Sequence, residues 1–299
     1  MQTTHIRTDL AMEAKDSLTH TPDETSGIEV EEEKSSRFKK TIVRILTQNA
    51  ANSIGKPKGT YVTLESPQLT EDDEASHLEI SKALSLCLQD FCKIKPNYQS
   101  PVSILVVGLG NRNVTPDCLG PSVIDHLNIS RHLFHEFGQS VFPDPVPYLI
   151  SGIVPGVMAQ TGMESLEIIQ GIVSATKPSL CLVIDALAAR SVKRLNRTIQ
   201  ISDTGIHPGS GVGNHRSGIT EESLGIPVLS LGIPTVVDAA TIVSDSLTQC
   251  AGEDMDLSPL LLPSLHTMYV TPKDIDASIH RLSHTVSTGI NLAFGPKLT

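Results

Sequence analysis

The chain has 299 residues, 39% of them hydrophobic, which is enough for one large α/β domain or two small ones. Its 33 acidic and 23 basic residues give a net charge of −10, which argues against general binding to the DNA backbone. Aromatic residues make up only 3% and tryptophan is absent, so stacking platforms for single-stranded nucleic acid are not expected.

The five cysteines are odd in number and none forms a CxxC pair, which favours reduced thiols in a cytoplasmic protein. The first twenty residues contain no continuous apolar core of the kind found in signal peptides. The longest apolar tract, residues 224–243, contains Pro227, Pro234 and Asp238. It therefore predicts a strand, a turn and a second strand, not a membrane span.

The first 33 residues are polar and of mixed charge, and they end in a glutamate-rich run. Ile6, Leu10, Ala14 and Leu18 recur every four residues, which is the spacing of one helix face. Two interpretations fit this pattern. The region is either a frayed, flexible terminus with a solvated acidic tail, or a detachable segment that docks on the domain beginning at residue 34.

From residue 41 onward, short apolar runs alternate with segments of helical character. Strands are predicted over 41–46, 60–64, 102–107, 180–184, 198–201 and 228–231. Helices are predicted over 67–91, 120–133 and 163–176. Because the central strands are apolar throughout, the sheet should be covered on both faces. The expected fold is α/β with three layers, a mostly parallel or mixed central sheet flanked by helices.

The loop GLGNRNVTPDCLGP (108–121) directly follows the predicted strand 102–107. It lacks the dinucleotide fingerprint because Asn113 stands where the third glycine is needed, and no Gly-Lys-Ser/Thr follows for a Walker loop. Pro116 suits the first turn of a helix and leaves Asp117 among exposed amides. The glycines therefore indicate a tight exit from the strand, and the chemical contribution of the loop is Asp117.

Asp185 directly follows the predicted strand 180–184, and it is 68 residues from Asp117 (185 − 117). Functional groups of open α/β sheets collect beyond the carboxyl ends of the strands. Two carboxylates brought together there cannot both ionise easily, which produces an acid and a base for activating water. The alternative is that Asp117 caps a helix and Asp185 is a turn residue.

The segment ISDTGIHPGSGVGNHR (201–216) is rich in glycine and contains Asp203, His207 and His215. Such glycine density lets the backbone approach a ligand closely, and the histidines are candidate metal ligands. No H-E-x-x-H spacing accompanies them. A turn-rich surface loop is the competing interpretation.

Six stretches of the chain resemble the germination proteases of spore-forming bacteria, and together they span nearly its whole length. They are RTDLAMEAKD (7–16), VVGLGNRNVTPDCLGP (106–121), PGVMAQTGMES (155–165), VIDALAARSVKRLNRTIQISDTGIHPGSGVGNHR (183–216), GIPTVVDAATIV (232–243) and YVTPKDID (269–276). The resemblance implies an atypical aspartic-type endopeptidase whose fold is like that of the hydrogenase-maturation proteases, with phosphorylase/hydrolase-like architecture. Its functional aspartates would be Asp117 and Asp185.

The resemblance also implies a biological setting. The substrates would be small acid-soluble, DNA-binding spore proteins, cut after an acidic residue and before a hydrophobic residue followed by Ala. The enzyme would be a homotetramer in the cytoplasm of the spore core, without a cofactor, direct nucleic-acid contact or membrane attachment.

By the same resemblance the protease is made as a zymogen that trims its own N-terminus. Asp9-Leu10-Ala11 matches the cleavage pattern, so residues 1–9 would be a propeptide cut off between Asp9 and Leu10. Residues 34–299 would form a single peptidase domain. The chain departs from the family pattern at Ile6, where a further acid is expected, and in a shorter region between residues 254 and 266.

Further roles follow as hypotheses. Backbone amides of the glycine loops would stabilise the developing oxyanion, namely those of Gly108, Gly110, Gly209 and Gly211. Three arginines are candidates for binding the acidic residue before the cut, namely Arg112, Arg190 and Arg216. One alternative is a divalent-metal peptidase whose ligands come from Asp117, Asp185, His207 and His215. A second alternative is a binding module that holds spore proteins without cutting them.

Overall fold

The computed structural model describes residues 8–16, 26–94, 101–209, 216–251 and 263–296, and a nine-stranded mixed sheet forms its centre. The strands are β1 (Ile28–Lys34), β2 (Lys39–Ile45), β3 (Gly59–Glu65), β4 (Val102–Gly108), β5 (Tyr148–Ile153), β6 (Leu180–Ala189), β7 (Thr198–Ser202), β8 (Val228–Asp238) and β9 (Tyr269–Val270). The helices are α1 (Ala11–Asp16), α2 (Gln48–Ile54), α3 (Glu74–Phe91), α4 (Leu119–Asp125), α5 (Arg131–Phe137), α6 (Met158–Thr161), α7 (Ser165–Thr176), α8 (Glu221–Leu224), α9 (Ala239–Ala251) and α10 (Ile275–Phe294).

The strand order is β1-β2-β3-β7-β8-β6-β4-β5, with β9 added to β8. Strands β8, β6, β4 and β5 run parallel to their neighbours among themselves, and the remaining pairs are antiparallel. The chain leaves β4 toward β5 on one side, and β6 then joins the other side of β4. The strand order therefore reverses between β4 and β6, which is where open α/β sheets form their binding crevices.

The sheet is buried on both faces, as the apolar strands predicted. On β4, Ile104 and Val106 belong to the large core cluster that also contains residues of α3 and α10. The alternate residues Leu105 and Val107 pack on the opposite face against a cluster contributed by α7. The α/β fold with three layers and a mixed central sheet is thus confirmed.

Two predicted helices differ from the observed ones. The segment 67–91 contains a separate short 3₁₀ turn, and α3 begins only after Asp73, whose carboxylate accepts the Ala75 N–H. The single helix predicted over 120–133 was wrong, because the chain breaks into α4 and α5. Between them Ser130 exchanges hydrogen bonds with Ile150 of β5, which ties the connection to the sheet edge.

The apolar tract 224–243 was wrongly predicted to contain two strands. It contains the single strand β8, and the register with β6 shifts beside Pro234, which pairs with Leu187. A bulge accommodates proline because the missing N–H is then not needed for the ladder. Asp238 ends the strand and caps α9, accepting the Ala240 N–H at 2.7 Å.

The N-terminal region contains regular structure where a flexible region up to about residue 33 was expected. Residues 11–16 form α1, and residues 28–34 form β1, which pairs with β2 over seven residues. Most of the region between residues 254 and 266, where the chain departs from the family pattern, lies outside the described residues. Within the described part of the chain, every helix is too short or too polar to cross a membrane.

Candidate active site

Asp117 and Asp185 line one cavity at the carboxyl ends of β4 and β6. The β4–β6 ladder ends with Gly108 opposite Ile184, so Asp185 comes one residue after the last pairing. Asp117 follows β4 and lies in a short 3₁₀ turn, Thr115–Asp117, directly before α4. The two aspartates meet at the reversal of strand order. The strand predicted over 180–184 continues to Ala189, so Asp185 lies inside β6, paired with Gly232 of β8, and does not follow the strand.

The loop that carries Asp117 is closed by its own backbone. The Asn111 N–H donates to the Asp117 carboxylate (Oδ2, 2.8 Å) and to the Asp117 carbonyl oxygen (3.1 Å). Gly110 has a φ of +114°, and a Cβ at this position would lie 1.9 Å from the Asp117 carbonyl oxygen. Glycine is therefore required here so that the loop can turn back and hold Asp117.

Two further contacts fix this loop against the sheet. A Cβ on Gly108 would lie 2.3 Å from the carbonyl oxygen of Gly120, so the two glycines allow α4 to begin directly against the end of β4. The Thr235 hydroxyl of β8 donates to the Pro116 carbonyl oxygen at 2.7 Å. Thr235 lies in the stretch GIPTVVDAATIV (232–243), which resembles the family, but its bond to the Asp117 loop was not predicted from the sequence.

The electrostatic environments of the two aspartates differ. Asp185 is only 7% exposed, and burial together with the nearby charges of Asp117 and Asp9 raises its pKa well above the usual aspartate value. Burial also raises the pKa of Asp117, but the Asn111 N–H and the charge of Arg216 oppose that rise. The surroundings therefore raise the pKa of Asp185 more strongly than that of Asp117.

The cavity has a volume of about 420 Å³ and is open to solvent on one side. Its remaining lining is largely backbone and apolar side chains, with Gly110, Gly209 and Arg216 among the residues singled out from the sequence. Asp9 also lines it, and its carboxylate accepts the Ala188 N–H at 2.9 Å. The acidic residue of the predicted trimming sequence thus lies beside the aspartate pair.

The other candidate residues lie apart from this cavity. Arg112 forms a bidentate ion pair with Asp125, with distances of 2.6 and 2.9 Å between the guanidinium nitrogens and the carboxylate oxygens. Both side chains are about half exposed. Arg190 lines a different cleft, together with Glu13 and Arg194. Of the three arginines, Arg216 is the one that the fold brings to the aspartates.

The proposed metal ligands do not come together among the described residues. His207 lines a neighbouring cavity on the other side of Asp9, and Gly211 and His215 lie outside the described residues. Within the ranges that the structure describes, no cluster of three or more histidine, cysteine, aspartate or glutamate side chains has the geometry of a metal site.

Comparison with known proteins places this arrangement in a family. The family model for germination protease matches residues 6–258. A germination protease of Caldanaerobacter subterraneus subsp. tengcongensis is 40% identical over 98% of this chain and 95% of its own length. The corresponding protein of Clostridium tetani is 39% identical, covering 98% and 96%, and that of Priestia megaterium is 40% identical, covering 96% and 93%.

Among solved structures, the [NiFe] hydrogenase maturation protease HycI of Thermococcus kodakarensis KOD1 matches 69% of this chain and 99% of its own, with 14% identity and a TM-score of 0.34. The family assignment rests on the sequence relatives, because they align with almost the whole chain at about 40% identity. The chain belongs to the germination protease family, and it is a protease.

Proposed function

We propose that the chain is an atypical aspartic-type endopeptidase in which Asp117 and Asp185 act on one water molecule. The observation that supports this most directly is the meeting of a buried carboxyl group, Asp185, and a half-buried one, Asp117, in one open cavity, with the pKa of Asp185 raised more strongly. Such a pair supplies a base and an acid at the same pH. In this proposal Asp117 is the base, because its pKa is raised less, and Asp185 is the acid.

In the proposed reaction the ionised Asp117 takes a proton from water as the water oxygen bonds to the carbonyl carbon of the peptide. The carbonyl electrons move onto its oxygen. When they return, the carbon–nitrogen bond breaks, and Asp185 gives its proton to the leaving nitrogen. The Asn111 N–H and Arg216 support the ionised form of Asp117, and the buried surroundings of Asp185 support its protonated form.

The proposed substrates are small acid-soluble spore proteins, cut after an acidic residue and before a hydrophobic residue followed by Ala. The chain carries this pattern itself at Asp9-Leu10-Ala11, with Asp9 in the cavity and both following side chains buried. We therefore propose that the protein is a zymogen that removes residues 1–9 by cutting between Asp9 and Leu10. The peptidase domain was expected to begin at residue 34, but β1 (Ile28–Lys34) pairs with β2 in the same sheet, so we propose that the domain includes residues 28–33 as well.

The enzyme works as a homotetramer in the cytoplasm of the spore core and needs no cofactor. It binds protein substrates and does not itself bind nucleic acid, in line with a net charge of −10.

The test compares the wild-type chain with Asp117→Asn and Asp185→Asn. Removal of residues 1–9 is followed by mass spectrometry, and cleavage of a purified small acid-soluble spore protein is followed with trimmed enzyme. Each substitution should slow both reactions by about 10²- to 10⁴-fold, because each removes a proton-transfer group. Asp90→Asn, on the exposed face of α3, should cut at the wild-type rate.

Normal cleavage by either active-site variant would refute the carboxylate pair. Loss of wild-type activity in strong chelator, with recovery on adding a divalent ion, would favour the metal-dependent alternative. A trimmed wild-type protein that binds the spore protein and leaves it intact would support the non-catalytic alternative.

A further inference from the structure

Residues 8–10 lie against a free edge of β6. Asp9 donates its N–H to the Ala188 carbonyl oxygen at 3.0 Å, and its carboxylate accepts the Ala188 N–H at 2.9 Å. Ala188 belongs to the part of β6 that extends past Ile184, the last residue paired with β4. The segment is therefore held against β6 at Ala188 by one backbone hydrogen bond and by one hydrogen bond to the Asp9 carboxylate.

Two side chains from elsewhere in the chain converge on one atom of this segment, the carbonyl oxygen of Asp9. Lys56 Nζ lies 3.1 Å from it and also 3.0 Å from the Thr8 carbonyl oxygen. Gln200 Nε2 donates to the Asp9 carbonyl oxygen at 3.1 Å. This carbonyl belongs to the Asp9–Leu10 bond, so a cation and an amide donor both point at the oxygen that would gain charge during cleavage.

The other half of the Gln200 amide fixes the chain on the far side of Leu10. Gln200 Oε1 accepts the Ala11 N–H at 2.7 Å, so one side chain holds the backbone on both sides of Leu10. The Leu10 side chain is 1% exposed and packs with Leu187, Leu195 and Val237. These contacts set the direction in which the Asp9 carbonyl points.

Asp9 lies between two cavities. It lines the larger cavity with Asp117 and Asp185, and it also lines a smaller one, of about 70 Å³, with Lys56 and Gln200. Asp9 therefore borders both the cavity of the aspartate pair and the cavity of the two donors. Burial lowers the pKa of Lys56, and the nearby charges of Asp9 and Glu13 oppose this change and favour the cationic form.

We propose that Lys56 and Gln200 form the oxyanion site for self-trimming at the Asp9–Leu10 bond. This inference rests on the proposed function, in which Asp117 and Asp185 cut that bond. As the water oxygen bonds to the Asp9 carbonyl carbon, the carbonyl electron pair moves to the oxygen, and Lys56 and Gln200 hold the resulting negative charge. The pair then returns, the bond to the Leu10 nitrogen breaks, and that nitrogen takes the Asp185 proton.

The test measures the first-order rate at which the full-length chain loses residues 1–9, by intact-mass spectrometry. Lys56→Met should slow trimming by about 10²- to 10³-fold, the usual cost of removing one oxyanion donor. Lys56→Arg should recover part of the rate, because it restores a cationic donor. Lys58→Met is the matched control, since Lys58 is exposed two residues away, and it should trim like wild type.

Gln200→Glu separates the two functions of that side chain. It keeps an acceptor for the Ala11 N–H and removes the donor to the Asp9 carbonyl, so trimming should slow while the segment stays docked. Docking is measured by hydrogen exchange of the Ala11 amide in chains that also carry Asp117→Asn, which keeps residues 1–9 attached. Protection of this amide should be unchanged by Lys56→Met.

Wild-type trimming rates in Lys56→Met and Gln200→Glu would overturn the assignment. Slow trimming accompanied by lost Ala11 protection would also overturn it, because Lys56 would then only hold the segment in place. Failure of the proposed function would give a different experimental result from failure of the oxyanion assignment. If Asp117→Asn still trims and Lys56→Met does not, the carboxylate mechanism is refuted and the oxyanion site stands. A wild-type chain that is never cut at this bond refutes both.

Discussion

At the scale of single residues, Asp185 is the least solvated acid of the site. It is 7% exposed, its Oδ1 accepts the Ala186 N–H at 2.9 Å, and the charges of Asp117 and Asp9 disfavour its ionisation. A carboxyl group whose pKa is raised by folding lowers the free energy of unfolding at every pH at which the same group would release its proton in the unfolded chain. The same burial that suits Asp185 to the proposed role of acid therefore destabilises the fold at neutral pH.

We predict that Asp185→Asn raises the free energy of unfolding at pH 7 by at least about 1 kcal/mol, since a pKa difference of one between folded and unfolded states corresponds to about that amount. The folded pKa is raised, so wild type is at full stability below the pKa of the unfolded chain and loses stability as pH rises through the folded pKa. The difference between variant and wild type should therefore vanish near pH 3. Denaturant unfolding from pH 3 to pH 8 measures it, and exposed Asp90→Asn should show no such trend. A pH-independent difference would contradict the explanation.

At the scale of elements, α3 and α10 pack closely because small residues line their contact. The Ser81 hydroxyl of α3 donates to the Thr285 carbonyl oxygen of α10 at 2.8 Å, and Gly289 faces Leu84. A Cβ on Gly289 would lie 2.7 Å from a Leu84 methyl carbon and 3.1 Å from the Ser81 carbonyl oxygen. Glycine is kept in the helix interior here because the neighbouring helix occupies the space of a side chain.

We predict opposite effects for two glycine-to-alanine substitutions in helices. Gly289→Ala should destabilise the protein by about 1–2 kcal/mol, because overpacking against Leu84 exceeds the gain in helix propensity. Gly171→Ala in α7 should stabilise it by about 0.5–1 kcal/mol, since Gly171 is exposed and an added Cβ meets no atom within 4 Å. Chemical denaturation of both variants measures the difference, and a stabilising Gly289→Ala would show that the contact is looser than described.

At the scale of the whole molecule, the N-terminal segment connects parts of the chain that are distant in sequence. The Glu13 carboxylate is buried and accepts the N–H groups of Arg190 and Ser191 at 2.7 and 3.0 Å. Arg194 lies 3.4 Å from Glu13 and 3.2 Å from Glu65 of β3. One buried acid thus anchors α1 to the loop after β6 and, through Arg194, to the antiparallel half of the sheet.

We predict that Glu13→Ala weakens docking of the segment by about 3 kcal/mol, because it leaves buried donors and a cation without their acceptor. Asp16→Ala should cost less than about 1 kcal/mol, although Asp16 lies 3.6 Å from the same arginine, because Asp16 is exposed. Hydrogen exchange of the Ala14 amide, which donates to the Leu10 carbonyl, reports docking. Equal exchange rates in the two variants would contradict the anchoring role.

The sequence alone predicted the parts of the fold that repeat a local pattern. Strands such as 102–107 and 180–184 were recognisable because both faces of each strand are buried, so every residue except Ser103 is apolar. Prediction from sequence failed where local patterns are ambiguous. In the tract 224–243, Pro234 suggested a turn between two strands, but Pro234 lies beside a bulge within the single strand β8. Near His126 the break between α4 and α5 depends on bonds to β5 and α10 that no local pattern reports.

The sequence by itself led to the expectation that Asp117 and Asp185 lie at one edge of the sheet, because an apolar run precedes each of them and parallel strands end at the same edge. The structure places Asp185 inside β6, one residue past the pairing of β6 with β4. Only the tertiary structure decided which strands are neighbours, and hence that Asp9, Lys56 and Gln200 meet there. Lys56 lies in the polar loop GKPKG, and Gln200 is 191 residues from Asp9, whose carbonyl it holds. Periodicity reports which side of an element is buried, and contacts between remote segments depend on strand order, which periodicity does not encode.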